Sequence, residues 1–371
     1  MVIDRVECFV LRAPLAVPVK VAFGAMTNRP AVFLRVTASD GVWGWGEVFS
    51  NFPQVGAEHR ARLVQSIFAP LLAGAPCEPE DTWAMLGRRT RSLAIQCGEP
   101  GPFAQITAAI DQALWDMRAR RAGLPLWRLL GGRSDRVKVY ASGLGPNDVV
   151  DYALRKRDEG FRAFKLKVGF GPERDVGNLR SMRAALGDET SIMTDANQAW
   201  DAAFALERIR ELAEFEPFWI EEPIAADEPL AAWADLAAAS PVALAAGENI
   251  RGLADFEDAM GHGGLRFVQP DVGKWGGITG CREVFARAAQ LGLAACPHWL
   301  AGGVGLAATL HLVAGCGTAA SYAEVDANPN PLREEVYPLS LDEGFVSLGD
   351  APGLGVEPDL AALQRLVVLA V

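Results

Sequence analysis

From the middle of this chain onward, seven ionisable residues recur at nearly constant intervals: Lys167, Asp195, Glu221, Glu248, Asp271, His298 and Glu324, spaced by 28, 26, 27, 23, 27 and 26 residues. Each closes a short apolar run, as in Phe164-Lys165-Leu166-Lys167, Ile192-Met193-Thr194-Asp195 and Phe218-Trp219-Ile220-Glu221. Helix-length amphipathic segments, such as 202–212 and 278–291, fill the intervals. One strand and one helix per interval describes a (β/α) barrel, which carries its chemistry at the carboxyl ends of its strands. Charges gathered at one end of a core need a metal, a partner or a ligand to balance them. The row therefore reads as an active site.

The remainder of the chain is long enough for a second unit. Residues 2–47 read as a small antiparallel sheet, with Asp40-Gly41 as the hairpin turn between 32–39 and 42–47. Helical patterns follow at 57–72, 80–91 and 103–122, the last ended by Gly123-Leu124-Pro125. Residues 129–133 read as a linker and 137–140 as the first barrel strand. Beyond Glu324 the run Asn328-Pro329-Asn330-Pro331 breaks the period. The tail then has no barrel partner left and is expected to return to the first domain. The expected division is an α+β domain over 1–130, a barrel over 131–326 and a returning segment over 327–371. Two loops, 21–29 and 49–55, carry Phe23, Met26, Arg29, Phe49 and Phe52 among small residues and are candidates for a lid over the barrel mouth.

A formal net charge of −11 argues against nucleic acid and against an anionic membrane surface as partners. An anionic substrate would need a local positive centre. The six cysteines are scattered with no C-x-x-C pair, which suits reduced thiols in the cytoplasm. The first fifteen residues hold Asp4, Arg5, Glu7 and Arg12 and so lack a signal-peptide core. The most apolar window, 304–323, contains His311, Gly315, Gly317 and Ser321 and reads as a buried helix leading into a strand.

Asp195, Glu221 and Glu248 end three successive strands, and three converging carboxylates call for a hard cation such as Mg²⁺. Glu222 falls on the opposite face of its strand by the period of two and reads as a supporting group. Lys165 and Lys167 alternate with Phe164, Leu166 and Val168, which puts both lysines inside the barrel. Two buried like charges favour loss of a proton, so a neutral lysine base is expected. His298 lies one strand beyond Asp271, whose carboxylate would fix its tautomer and raise its basicity. His59, His262 and His311 lack such a partner and are assigned no role. A metal flanked by a lysine and a histidine suits removal of a proton α to a carboxylate, with the enediolate stabilised by the cation and nearby donors.

These residues resemble the enolase superfamily and, within it, the mandelate racemase subgroup. The likeness rests on Lys165-Leu166-Lys167, Asp195-Ala196-Asn197, Glu221-Glu222-Pro223, Gly247-Glu248-Asn249, Asp271 with His298, and the stretch from Ala109 to Asp116. It implies an α/β fold, a modified TIM barrel (β/α)₇β, under an α+β capping domain formed by the N-terminal region and the C-terminal tail. It further implies Lys167 as base on one face and His298, oriented by Asp271, as acid or base on the other. One Mg²⁺ per subunit would be held by Asp195, Glu221 and Glu248. Lys165, Asn197 and Glu324 would touch the substrate carboxylate, with Glu324 a donor if protonated and Asp326 the alternative to it. Lys274 stands where the muconate cycloisomerase-like subgroup has its second base, but with Asp271 and His298 intact an outer role is expected. A small-molecule carboxylate substrate and a homo-oligomeric state are expected.

Dehydration of a sugar acid, aldonate or aldarate, to a 2-keto-3-deoxy acid is the leading reading, favoured by prevalence in the subgroup and by Asn197-Gln198. Lactone cycloisomerisation is the runner-up, because Gly169-Phe170-Gly171 and the stretch from Glu324 to Pro331 are similar to galactarolactone cycloisomerases; racemisation or epimerisation shares the same first step. Gly302-Gly303-Val304-Gly305 after strand seven raises a phosphosugar-binding barrel as a reading of another class. A non-catalytic binding protein is the last alternative, and the complete acid–base set argues against it.

Overall fold

The computed structural model describes residues 1–371 apart from Ala22, Phe23 and Gln54. Three antiparallel strands open the chain: β1 (Ile3–Val21), β2 (Gly24–Ala38) and β3 (Trp43–Val48). Barrel strands follow in parallel, β4 (Arg136–Leu144), β5 (Ala163–Lys167), β6 (Ser191–Asp195), β7 (Ile220–Glu221), β8 (Leu244–Ala246), β9 (Phe267–Val268), β10 (Ala294–Ala295) and β11 (Ala323–Asp326). Among the described residues the ladder runs β11-β4-β5-β6-β7-β8-β9-β10. At the seam between β10 and β11, Tyr322 N donates to Cys296 Sγ at 3.4 Å.

The cap is built on one long helix, Pro100–Ala122, buried on nearly every face from Ile106 to Met117. A helix apolar all round must be covered all round. One side packs on the cap sheet, where Gly44 and Gly46 of β3 bring strand backbone against it. A Cβ on either glycine would stand 2.0 Å from a helix carbonyl, that of Ala113 or Ala109. Its other side meets the barrel, where Asp111 accepts from Thr279 N at 2.8 Å and Trp115 Nε1 donates to Thr279 Oγ1 at 2.9 Å. Proline in the first turn starts the helix, and Gly123, at φ 62°, ends it in the left-handed region.

Beyond the barrel, β12 (Leu341–Asp342) and β13 (Phe345–Ser347) form a hairpin that pairs antiparallel with β4. The final strand, β14 (Val367–Ala370), pairs antiparallel with β1. The expectation that the tail finds no barrel partner therefore fails for its first part: the outer end of β4 has a free edge, and β13 takes it. Segment 21–29 also differs from expectation. Its described part from Gly24 onward is strand, the tip of a β1–β2 hairpin, and Phe23 lies outside the described residues.

Inside the barrel, Tyr140, Ala163, Met193, Trp219, Ala245 and Cys296 form an apolar floor. On it stands the next layer of side chains, which is polar. That change, from a packed floor to charge one layer up, defines the site.

Candidate functional site

Parallel register sets the first row. Lys167 is paired with Asp195 across β5 and β6, and Asp195 with Glu221 across β6 and β7. Glu248 lies two residues past the end of β8, one level nearer the mouth. Lys165 sits a level below Lys167, fully buried. Its Nζ lies 2.7 Å from Glu221 Oε1 and 2.8 Å from Glu324 Oε1, and it stands over the Tyr140 ring. Lys167, about a fifth exposed, reaches Asp195 Oδ2 at 2.5 Å and Asn197 Oδ1 at 2.8 Å. On the other flank, His298 Nδ1 lies 2.5 Å from Asp271 Oδ2, and its Nε2 faces Glu248 Oε2 at 3.2 Å. Asp271 is itself fixed by the N–H groups of Gly273 and Lys274.

The charges are mutually compensating, and this reverses one expectation. Burial alone would lower both lysine pKa values, but Asp195 beside Lys167, and Glu221 and Glu324 beside Lys165, raise them above the ordinary value. Lysine–lysine repulsion is present, yet carboxylates outnumber ammoniums, so both lysines are cations in this arrangement. Burial pushes Glu221 up to about 8, with Asp195 as a further cause. Burial opposes ionisation of Glu248 as well, but His298 and Lys274 hold it well below the usual carboxylate range. His298 would be depressed by burial, and Glu248, Glu324 and Asp271 instead raise it to about 9.

Glu324 is expected to donate only if protonated. Burial favours its protonated form, but Lys165 and His298 hold its pKa below the ordinary value, so it is an acceptor. Ser142 Oγ and Trp299 N donate to it. Asp326, the alternative, pairs with Arg29 of β2 at 2.6 Å, both buried, and so ties the hairpin to the barrel. Glu222 also departs from expectation. Strand β7 stops at Glu221, and Glu222 takes φ 39°, which breaks the alternation and turns it into the cavity. There it accepts from Gln198 Nε2 at 3.1 Å and Asn249 Nδ2 at 2.8 Å. Asn197 and Gln198, at φ 44° and 65°, share this strained left-handed region, which costs on the order of 1 kcal/mol per residue. Lys274, expected in an outer role, is in the cavity wall, 2.7 Å from Glu248 Oε1 and over the Phe49 ring.

A cavity of about 530 Å³ joins these groups and is lined by Lys167, His298, Glu248 and Asn197 among others. The cap supplies Phe49, Phe52, Gly101 and Gln105. The expected lid thus divides: part of 49–55 roofs the cavity, whereas in 21–29 Arg29 is a buried tie and Met26 is packed away. Sequence reasoning missed Gln269, whose Nε2 donates to Glu221 Oε2 at 2.5 Å; its position just past β9, two residues before Asp271, was the available signal. Gly101 and Gln105 carried no local signal at all. The glycine run after β10 is already used. Gly302 N and Gly305 N donate to the Glu47 carboxyl of β3 at 2.5 and 2.9 Å, so the amides a phosphosugar reading would need are taken.

The donor set of Asp195, Glu221 and Glu248 is all oxygen, with Asp195 and Glu221 buried and Glu248 partly exposed at the cavity, and burial together with Asp195 lifts Glu221, which fits a hard cation. As the side chains stand, no three His, Cys, Asp or Glu among the described residues form a ready cage. Their oxygens are turned onto Lys165, Lys167 and Lys274.

Residues 148–362 match the family described as enolase C-terminal domain-like, and residues 5–131 match the mandelate racemase/muconate lactonizing enzyme N-terminal domain. A solved mandelate racemase/muconate lactonizing enzyme from Bordetella bronchiseptica is 50% identical, with a TM-score of 0.93 over 99% of both chains. A racemase from Streptomyces coelicolor with bound magnesium is 33% identical, with a TM-score of 0.88 over 99% of this chain and 100% of that one. D-galactarolactone cycloisomerase of Agrobacterium fabrum is 31% identical over 98% of each chain. D-galactonate dehydratase of Verminephrobacter eiseniae is 32% identical over 88% of each. The barrel, its cap and both domain matches make this chain an enzyme of the enolase superfamily, in the mandelate racemase/muconate lactonizing enzyme group.

Proposed function

We propose that the protein removes the proton α to the carboxylate of an acid sugar and expels the β-oxygen, dehydrating an aldonate or aldarate to a 2-keto-3-deoxy acid. The observation that carries this reading is that Lys167 and His298, each held by a carboxylate, face one cavity beside the acidic residues Asp195, Glu221 and Glu248. Asp195, Glu221 and Glu248 would hold Mg²⁺, as the magnesium-bound relative suggests. Bound there, the ion supplies a positive centre for the substrate carboxylate and for charge developing on it.

The chain's own groups do the rest. Lys167 Nζ takes the α-proton, and Asn197 Oδ1 keeps its ammonium aimed. Asp195 now holds the Lys167 proton in place; its use as a metal ligand would relax that hold and leave Lys167 free to act as base. Lys165, kept cationic by Glu221 and Glu324, faces the negative charge that builds on the substrate. His298 carries a proton at Nε2 and hands it to the departing oxygen, while Asp271 fixes the ring through Nδ1. The roof of Phe49 and Phe52 keeps water from the carbanionic centre.

A second reading is ring-opening cycloisomerisation, in which the departing oxygen stays tethered to the sugar. Similarity to the galactarolactone cycloisomerase over 98% of both chains favours it. One experiment addresses both: incubation with Mg²⁺ and a panel of hexonic and hexaric acids and their lactones in D₂O. In both reactions the α-carbon becomes the keto carbon, so deuterium should enter at C3 of the product as the enol takes up a solvent proton, and Lys167→Met should cut turnover by about 10²–10⁴-fold. Apart from that label, a product lighter by one water indicates dehydration, and a keto acid isomeric with its lactone substrate indicates ring opening. Absence of both keto-acid product and exchange with every acid overturns the proposal.

A further inference from the structure

The cations that line the cavity are not equivalent. Lys167 is paired with Asp195 at 2.5 Å, Lys274 with Glu248 at 2.7 Å, and His298 lies between Asp271 and Glu248. Arg251 is different. It leaves the barrel three residues after Glu248 and lines the same cavity, and among the described residues no carboxylate pairs with it. Asp227 and Glu222 border the cavity too, without closing on Arg251.

Its guanidinium reaches across to the cap. A Cβ on Gly101 would stand 3.4 Å from Arg251 Nη1, which puts the side chain against the first turn of the 23-residue helix Pro100–Ala122. That helix start is electropositive by its aligned peptide dipoles. The nearby Glu99 carboxylate is taken by His59 at 2.9 Å. Gln105, one turn further, also lines the cavity, its Oε1 accepting from Arg60 Nε at 2.7 Å. The mouth therefore holds a fork-shaped cation with unused donors in a protein of net charge −11. An unpaired guanidinium beside a helix start is matched in shape and charge by a carboxylate.

We propose that Arg251 grips a second carboxylate at the far end of the substrate, so that the preferred substrate is a diacid, an aldarate or its monolactone, rather than an aldonate. This rests on the acid-sugar reading above, which supplies the first carboxylate at the Lys167 end of the cavity. Two anionic ends then meet two separate positive centres, and a substrate ending in a hydroxymethyl group leaves the second one idle. Arg251 acts on specificity and does not touch the reacting carbons.

The test compares kcat/KM for hexaric acids, their monolactones and the hexonic acids of the same configuration, using the magnesium-loaded full chain. Arg251 is exposed, so Arg251→Met and Arg251→Lys are expected to fold. Arg251→Met should lower kcat/KM for the diacids by about tenfold to a hundredfold, mainly through KM, and leave the monoacids within about twofold. Arg251→Lys should fall between, because it keeps the charge and loses the fork. Equal losses on diacids and monoacids, no loss on either, or a parent enzyme that prefers hexonic acids would each overturn the proposal while leaving the acid-sugar reading intact. A parent protein that neither turns over nor exchanges the α-proton of any acid would overturn both.

Discussion

Gln269 shows how a single residue can matter to the site without belonging to any recurring motif. Its amide donates to Glu221 Oε2 at 2.5 Å while Lys165 takes Oε1, so both Glu221 oxygens are aimed from outside the cavity. Groups that orient a metal-binding carboxylate typically change affinity when removed. Gln269→Leu is therefore expected to weaken Mg²⁺ binding by about tenfold to a hundredfold, read by calorimetric titration of the metal. Unchanged affinity would show that Glu221 needs no such aiming. At this scale the sequence was informative where alternation governs: Lys165 and Lys167 on β5 both point inward. It was uninformative where charge depends on neighbours from distant segments. No local pattern says that Lys167 meets Asp195, or that Glu222 leaves the strand rule by adopting a positive φ.

Strand β3 and the helix Pro100–Ala122 illustrate what two elements demand of each other. Gly44 and Gly46 let the strand lie on the helix backbone, and Gly46→Ala would drive a Cβ to 2.0 Å from the Ala109 carbonyl. That variant should lose at least about 2 kcal/mol in chemical denaturation, since neither backbone can give way cheaply. The next side chain along, Glu47, joins β3 to the helix Gly303–Cys316. Burial raises its pKa from the ordinary 4.5 to about 8. A folded value above the unfolded one makes this contribution complete below pH 4.5 and lost as the pH climbs to about 8. The parent's stability advantage over Glu47→Gln should accordingly shrink between pH 5 and pH 8, by on the order of a few kcal/mol, in thermal melts. A constant difference would mean that Glu47 ionises normally. Helices such as Ala202–Leu212 were legible from periodicity alone. The hairpin at Gly24–Arg29 was not, because its register comes from pairing with β1 and its anchor from Arg29 on Asp326, far along the chain.

The whole molecule places a charged layer between a packed barrel floor and an aromatic roof. Its carboxylates are neutralised by lysines, and the proposed ion would replace those pairings. Binding to the folded chain alone must stabilise it, by about 2.7 kcal/mol at a metal concentration a hundredfold above Kd. Added Mg²⁺ should raise the melting temperature in a concentration-dependent way, and a chelator should reverse both that rise and turnover. A melting point indifferent to millimolar Mg²⁺ would argue against the three-carboxylate site. The barrel itself was legible because its period is a repeat, visible in one sequence. How the cap meets it was not, because Arg29 to Asp326, Gln112 to Val272 and Glu47 to Gly302 join residues more than a hundred positions apart.

The last of these contacts narrows what the scaffold can become. In many barrels the amides opening the helix after the seventh strand are left for a phosphate group. Here the cap's own side chain fills that position, so a phosphorylated sugar would have to evict Glu47 and with it part of the joint between the two domains. Retooling the cavity walls could exchange one free acid for another, but recognition of a phosphoester at that helix start would require loosening the cap first.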